Sequence, residues 1–187
     1  GKNAEVATVV REHGLRLVQH EPSSHLRGAD GATRIAMHYK YALTQAFDAF
    51  PDAPAVVIVE DDLLFSPDFL EYFEQVAPVL DVDDSTFLVS AWNDNGYTGK
   101  VDDPYALRRT EFFPGLGWLL PRRLYKAELE PKWPTAHWDH WLRSAPINRG
   151  REIVFPQVPR TFHNGIRGTF MDQGTHNRYF RDIAYNQ

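Results

Sequence analysis

The sequence predicts an α/β fold, and three observations predict it. First, an uninterrupted apolar run, "AVVIV" (55–59), is followed at once by Glu60, Asp61 and Asp62; such a run suits a strand covered on both faces in a parallel sheet. Second, segments with helical spacing and strand-like runs alternate along the chain rather than segregating. Third, with 187 residues, 43% of them hydrophobic and 13% aromatic, the chain can bury a genuine core, most simply as one domain over residues 1–187.

The elements follow in order. "GKNAEVATVVREHG" (1–14) reads as a helix stopped by Gly14. "LRLVQH" (15–20) alternates apolar and polar and predicts a strand, followed by a loop, "EPSSHLRGADGA", full of turn formers. Between Thr33 and Phe50, Ile35, Tyr39, Ala42, Leu43, Ala46 and Phe50 recur at helical spacing. After the strand at 55–59 and the acids, Ser66-Pro67-Asp68 is a helix start: Ser caps, Pro suits the first helical position and Asp favours the positive helix end. That helix turns Phe69, Tyr72, Phe73 and Val76 inward. "TFLVSAW" (86–92) and "ALRRTEFF" (106–113) predict two more strands around a long polar loop, and "PGLGWLL" (114–120) a tight loop running into apolar structure. Beyond Pro131 the density of Pro, Trp and His obscures any period. An α/β chain ordinarily opens on a strand, so a helix at the start predicts a further strand upstream.

Composition excludes several classes of function. A formal net charge of −5 and a pI near 5.9 give no positive field to attract nucleic acid or a membrane surface, so any phosphate bound is a small ligand held locally. No cysteine is present, which removes disulfides, thiolate metal sites and cysteine nucleophiles and is compatible with a reducing compartment. No apolar stretch reaches the roughly 20 residues that span a bilayer, and the N-terminus has no signal-peptide pattern. The expected state is a soluble monomer.

Three constellations carry chemistry. In open α/β sheets ligands bind beyond the carboxyl ends of the strands, where Glu60, Asp61 and Asp62 emerge. Side by side these acids repel, and either solvent or a cation absorbs the cost. Hard divalent cations take oxygen ligands, often from one or two carboxylates with substrate phosphates completing the shell. The alternatives are a metal-diphosphate seat and a solvated acidic turn. In "HWDHW" (137–141), Asp139 lies between Trp138 and Trp141; either an apolar surround makes it a better base, or the tryptophans are core and Asp139 caps a helix. His137 and His140 lack a third nitrogen or sulfur ligand at a telling spacing, which discounts zinc. In "FFPGLGW" (112–118) two glycines bracket Leu116 and let a backbone approach a ligand, but the dinucleotide fingerprint is absent. His38 reads as a partly buried polar residue, and Arg160, His163 and Arg167 as either phosphate-facing or solvated.

Taken in order, "VVIVEDDLLFSPDFLEYF", "VSAWNDNG", "RTEFFPGLGWLL", "ELEPKWP" and "HWDHWLR" resemble the β-1,2-N-acetylglucosaminyltransferases typified by α-mannoside N-acetylglucosaminyltransferase I, with the protein O-mannose enzymes as relatives. The likeness is densest from Ile35 to Arg160. It implies a GT-A (Rossmann-like) fold, here without its first strand, and Mn²⁺-dependent, inverting transfer of GlcNAc from UDP-GlcNAc to a mannose hydroxyl of a glycan or glycoprotein. Position by position it implies Asp62 as the manganese ligand, Asp61 at the donor's ribose and sugar, and Glu60 at the GlcNAc hydroxyls. It likewise implies His38 at the uridine, Leu116 and Trp138 lining the GlcNAc pocket, and Asp139 as catalytic base. His140 stands where the family's W-D-D-W word has its second aspartate, a departure that does not touch the base. The residues that grip the uridine from the family's first strands are not in this chain, which predicts weak UDP affinity, or a fragment. Two positions that a disulfide joins in luminal members are Leu88 and Ile153 here, both apolar, as expected if packing replaces the bridge. That pattern points to a non-secreted or non-animal relative, bacterial, viral or cytosolic. The competing reading is a degenerate module that binds a sugar nucleotide or glycan without turnover; a calcium-stabilised structural domain is a third.

Overall fold

Five short strands assemble into one mixed sheet, seen in a computed structural model that describes residues 3–21, 24–26 and 28–187. Gly1 and Lys2 of the predicted first helix, and Pro22, Ser23 and Arg27 of the loop after the predicted strand, lie outside them. The strands are β1 (Ala55–Ile58), β3 (Thr86–Ser90), β4 (Leu107–Thr110), β5 (Trp118–Pro121) and β6 (Glu152–Pro156), in the order β1-β5-β3-β6-β4. Only β3 and β6 run parallel; the other neighbours are antiparallel. A separate two-stranded sheet pairs β2 (Leu63–Phe65) with β7 (Thr161–His163).

Alternation along the strands builds a core on each side of the sheet. Trp118 and Leu120 of β5 pack with Ala36, Leu43 and Phe47 of helix α2 (Gly31–Ala49), whereas Leu119 packs with Phe69, Tyr72 and Phe73 of α3 (Phe69–Val76). Helix α2 starts where Asp30 accepts a hydrogen bond from the Thr33 amide at 2.7 Å. The first helix, α1 (Ala4–Glu12), is capped by Asn3 and stopped by Gly14 at φ +65°, as its sequence predicts, but it buries no residue. After α3 come α4 (Val79–Val82), an irregular helical stretch from α5 (Arg122–Leu124) to Lys132, then α6 (Trp138–Leu142), α7 (Ala145–Asn148) and α8 (Gln173–Tyr179). No helix is long and apolar enough to cross a membrane among the described residues.

Three expectations are corrected. β1 is not a strand covered on both faces in a parallel sheet: it sits at the sheet edge, antiparallel to β5, with Val57 and Val59 open to solvent. β-branched residues favour an extended backbone without naming its neighbours, so the run encodes the strand and not its place. "LRLVQH" has no ladder partner among the described residues and stays irregular, with Leu15 and Leu17 exposed; alternation makes a strand only where another edge is there to pair with. Ser66 does not cap α3; Asp68 stands at the N-cap position without a capping hydrogen bond, its Oδ2 instead accepting from Arg160 Nε at 2.8 Å and Asn186 Nδ2 at 3.0 Å. Leu88 and Ile153 behave as the sequence predicts: they are register partners across β3 and β6, and both are buried in the larger core.

Candidate active site

A cleft of about 1230 Å³ opens beside β1, and every predicted site residue except Asp62 lines it: His38, Glu60, Asp61, Leu116, Trp138 and Asp139. Its walls are α2, the end of β1, the "PGLGW" loop and the start of α6. The chain reaches this arrangement through backbone that most residues avoid. Gly115, Leu116 and Gly117 are consecutive left-handed residues at φ +71°, +51° and +94°. A Cβ on Gly117 would stand 2.9 Å from Thr161 Cγ2, so that turn requires glycine. Leu116 has no such excuse, and a left-handed non-glycine residue costs about 1–3 kcal/mol. Thr161 Oγ1 holds it by donating to the Leu116 carbonyl at 2.6 Å, and Ser90 Oγ donates to the Gly115 carbonyl at 3.0 Å. A second left-handed residue, His137 at φ +49°, immediately precedes Trp138 and Asp139. Both candidate words thus carry strained backbone.

Trp138 serves core and cleft together. It is 7% exposed, stacks on Tyr39 at 4.0 Å between ring centroids, and closes a group of rings with Trp118, Trp133 and Phe113. Asp139 does not cap α6, and the tryptophans do not enclose its carboxylate. The side chain is 35% exposed and its Oδ2 accepts from Arg143 NH1 at 2.9 Å, one helical turn on. Arg143 is itself fixed, donating through Nε to the Phe113 carbonyl at 3.0 Å and lying 4.3 Å over the Phe112 ring. His140 Nε2 stands 3.8 Å from the same Asp139 oxygen, nearer than the sequence implied.

The acid triplet divides three ways. Glu60 turns inward, where burial, with Asp62, Asp61 and Asp139 adding to it, pushes its carboxyl above the usual glutamate range; the Tyr39 hydroxyl, donating to Oε1 at 2.5 Å, opposes that shift. Asp61 is exposed at the cleft. Asp62 points away toward the β2–β7 pair, where its Oδ2 lies 3.2 Å from His163 Nε2 and its carbonyl accepts from the Asn164 amide at 2.8 Å. Its Oδ1 is buried without a partner. Among the described residues no three acid, imidazole or thiol groups converge into a complete metal cage. Imidazole His38 lines the cleft with its Nδ1 3.3 Å from that of His20, and burial followed by the His20 charge draws its pKa down.

Sequence reasoning missed Tyr39 as a partner of Glu60 and Arg143 as a partner of Asp139. Arg143 was findable, since a cation four residues after an acid on a short helix meets it. Tyr39 was not, because the contact spans α2 and the end of β1. Arg160 does not line the cleft and is not solvated: 5% exposed, it donates to Asp68 and to the carbonyls of Val158 and Pro104. Phe170 also lines the cleft.

A protein of Arabidopsis thaliana named alpha-1,3-mannosyl-glycoprotein 2-beta-N-acetylglucosaminyltransferase is 45% identical over 153 residues, covering 82% of this chain and 34% of the relative. The chain thus spans about a third of that relative's length. The profile of the GNT-I family matches residues 3–187, so the chain belongs to the GNT-I family.

Proposed function

We propose that this chain is the catalytic core of a GT-A-type inverting glycosyltransferase that moves GlcNAc from UDP-GlcNAc to a mannose hydroxyl, with Mn²⁺ as cofactor. The observation that carries this reading is Asp139, held at the cleft by Arg143 across from Glu60 and Asp61 in a member of the GNT-I family. The named relative supports the choice of donor sugar and acceptor.

Arg143 fixes Oδ2 of Asp139, and the other carboxylate oxygen takes the proton of the acceptor hydroxyl. The acceptor oxygen forms its bond to the anomeric carbon as the bond from that carbon to the diphosphate oxygen breaks on the opposite face. Because the acceptor is the nucleophile, one base suffices and no covalent enzyme intermediate forms. Glu60, anchored through Oε1 by Tyr39, offers Oε2 to the donor sugar's hydroxyls, and Leu116 and Trp138 supply the apolar wall against the ring. His38 binds the uridine end, and Asp61 the ribose and sugar. One carboxylate, that of Asp62, would hold the Mn²⁺; its orphaned buried Oδ1 fits a cation better than a solvated turn, and a hard cation needs no protein cage when a diphosphate completes its shell. Held there, Mn²⁺ would supply the positive charge that offsets the leaving diphosphate.

The test is product formation from UDP-GlcNAc and a terminal mannoside with Mn²⁺, in the wild type and in Asp139→Asn. Product from the wild type alone supports the reading. Equal product from both removes Asp139 from the chemistry. Nucleotide-sugar binding in calorimetry without product from either makes this a binding module instead.

A further inference from the structure

We propose that His163 is a second protein ligand of the divalent cation, binding through Nε2 beside the Asp62 carboxylate. The inference rests on the reading of Asp62 as the metal residue and adds to it a nitrogen donor.

The fold brings the two together by backbone pairing rather than by chance approach. Leu63, next to Asp62, is the register partner of His163, and the Asn164 amide closes the ladder onto the Asp62 carbonyl at 2.8 Å. This pins Nε2 3.2 Å from Oδ2. Ligands at adjacent corners of an octahedron are separated by about 1.4 times the metal-ligand distance, which gives about 2.9 Å for Mg²⁺ and about 3.3–3.7 Å for Ca²⁺. An ion of intermediate size fits the observed edge. Gly165 keeps the carboxylate clear, because a Cβ there would run into Asp62.

His163 is 5% exposed, its Nδ1 is buried without a partner, and so is Asp62 Oδ1. The Asp62 side chain is 34% exposed and pairs with His163 through Oδ2 and Nε2; its unpartnered Oδ1 leaves the same carboxylate an oxygen free for a cation. His163 also lines the cleft, which Asp62 does not, so a cation shared between them is open to a diphosphate on the imidazole side. The mixed donor set has a consequence for metal choice. Imidazole nitrogen favours first-row transition ions, whereas Mg²⁺ prefers oxygen, so His163 biases the site toward Mn²⁺ over Mg²⁺.

Pulsed electron paramagnetic resonance on the Mn²⁺-loaded chain with UDP tests this directly, because an imidazole ligand imprints ¹⁴N modulation on the echo. The expected result is modulation in the wild type that disappears in His163→Gln, whose amide can still donate to Asp62 but cannot ligate as an imidazole does. The same change is expected to lower Mn²⁺ affinity about 10-fold and Mg²⁺ affinity less than about 2-fold. Should His163→Gln fail to fold, wild-type protein with ¹⁵N-histidine replaces it: the ¹⁴N modulation must give way to ¹⁵N coupling, and Asp62→Asn must abolish binding. Mn²⁺ that binds, depends on Asp62 and shows no ¹⁴N modulation overturns the proposal and leaves the Asp62 reading standing. No bound Mn²⁺ in the wild type overturns both.

Discussion

Glu60 and Asp139 are carboxylates on the same cleft, yet their surroundings differ in kind. Glu60 is turned inward with a neutral hydroxyl, Tyr39, as its partner, and burial drives its carboxyl up. Asp139 is 35% exposed, with a guanidinium as its partner on the same helix. In the proposed reading, the difference separates two jobs. A buried acid on a rigid aromatic partner suits repeated hydrogen bonding to a sugar, while an accessible acid oriented by a cation suits taking a proton from an arriving acceptor.

The sharpest way to break this comparison is to neutralise each acid's role in turn. Asp139→Asn should lower kcat by about 10²–10⁴-fold with little change in unfolding, since it removes the base and leaves the fold; steady-state kinetics beside denaturant unfolding will show it, and a loss below tenfold would equate the two acids. Arg143→Gln should lower kcat about tenfold through misplacement of Asp139, with Arg143→Lys recovering part, because lysine supplies charge but cannot also reach the Phe113 carbonyl. Donor KM should stay nearly constant in both.

On the other side, Tyr39→Phe should cost about 1–3 kcal/mol of stability, because it strands the Glu60 carboxyl in its buried setting. It should raise donor KM more than it lowers kcat. The smallest effect is a pH dependence. Because the folded pKa of Glu60 is raised, the folded state holds its proton more tightly than the unfolded chain. That contribution is full below the ordinary glutamate range and is lost as pH climbs through the raised folded value. Glu60→Gln should therefore gain on the wild type in unfolding measurements as pH rises from the glutamate range upward, and match it most closely at the acid end. A difference that grows toward acid pH would mean that Glu60 is stabilised as the anion.

Much of this was legible in the chain. Strand-forming runs gave β3 and β4, the helical period gave α2 and α3, and residues of all three site words line one cleft. What was not legible is long-range. The β2–β7 pair, which sets His163 beside Asp62, joins residues about a hundred apart through a short three-residue ladder with no periodic signature. The edge position of β1 depends on its neighbours rather than on its valines. Neither reading of Asp139 holds as stated: Trp138 turns its ring into the core and toward Tyr39, and the next residue on the helix faces the cleft and Arg143 rather than an apolar surround or a cap.

The central claim is a single-base, single-displacement transfer at Asp139, and the anomeric configuration of the product tests it most directly. Proton NMR of the disaccharide formed from α-linked UDP-GlcNAc and a mannoside should show only β-linked GlcNAc from the first turnover onward. An α-linked product would contradict it, because retention needs a second nucleophile on the face where Asp139 alone is assigned.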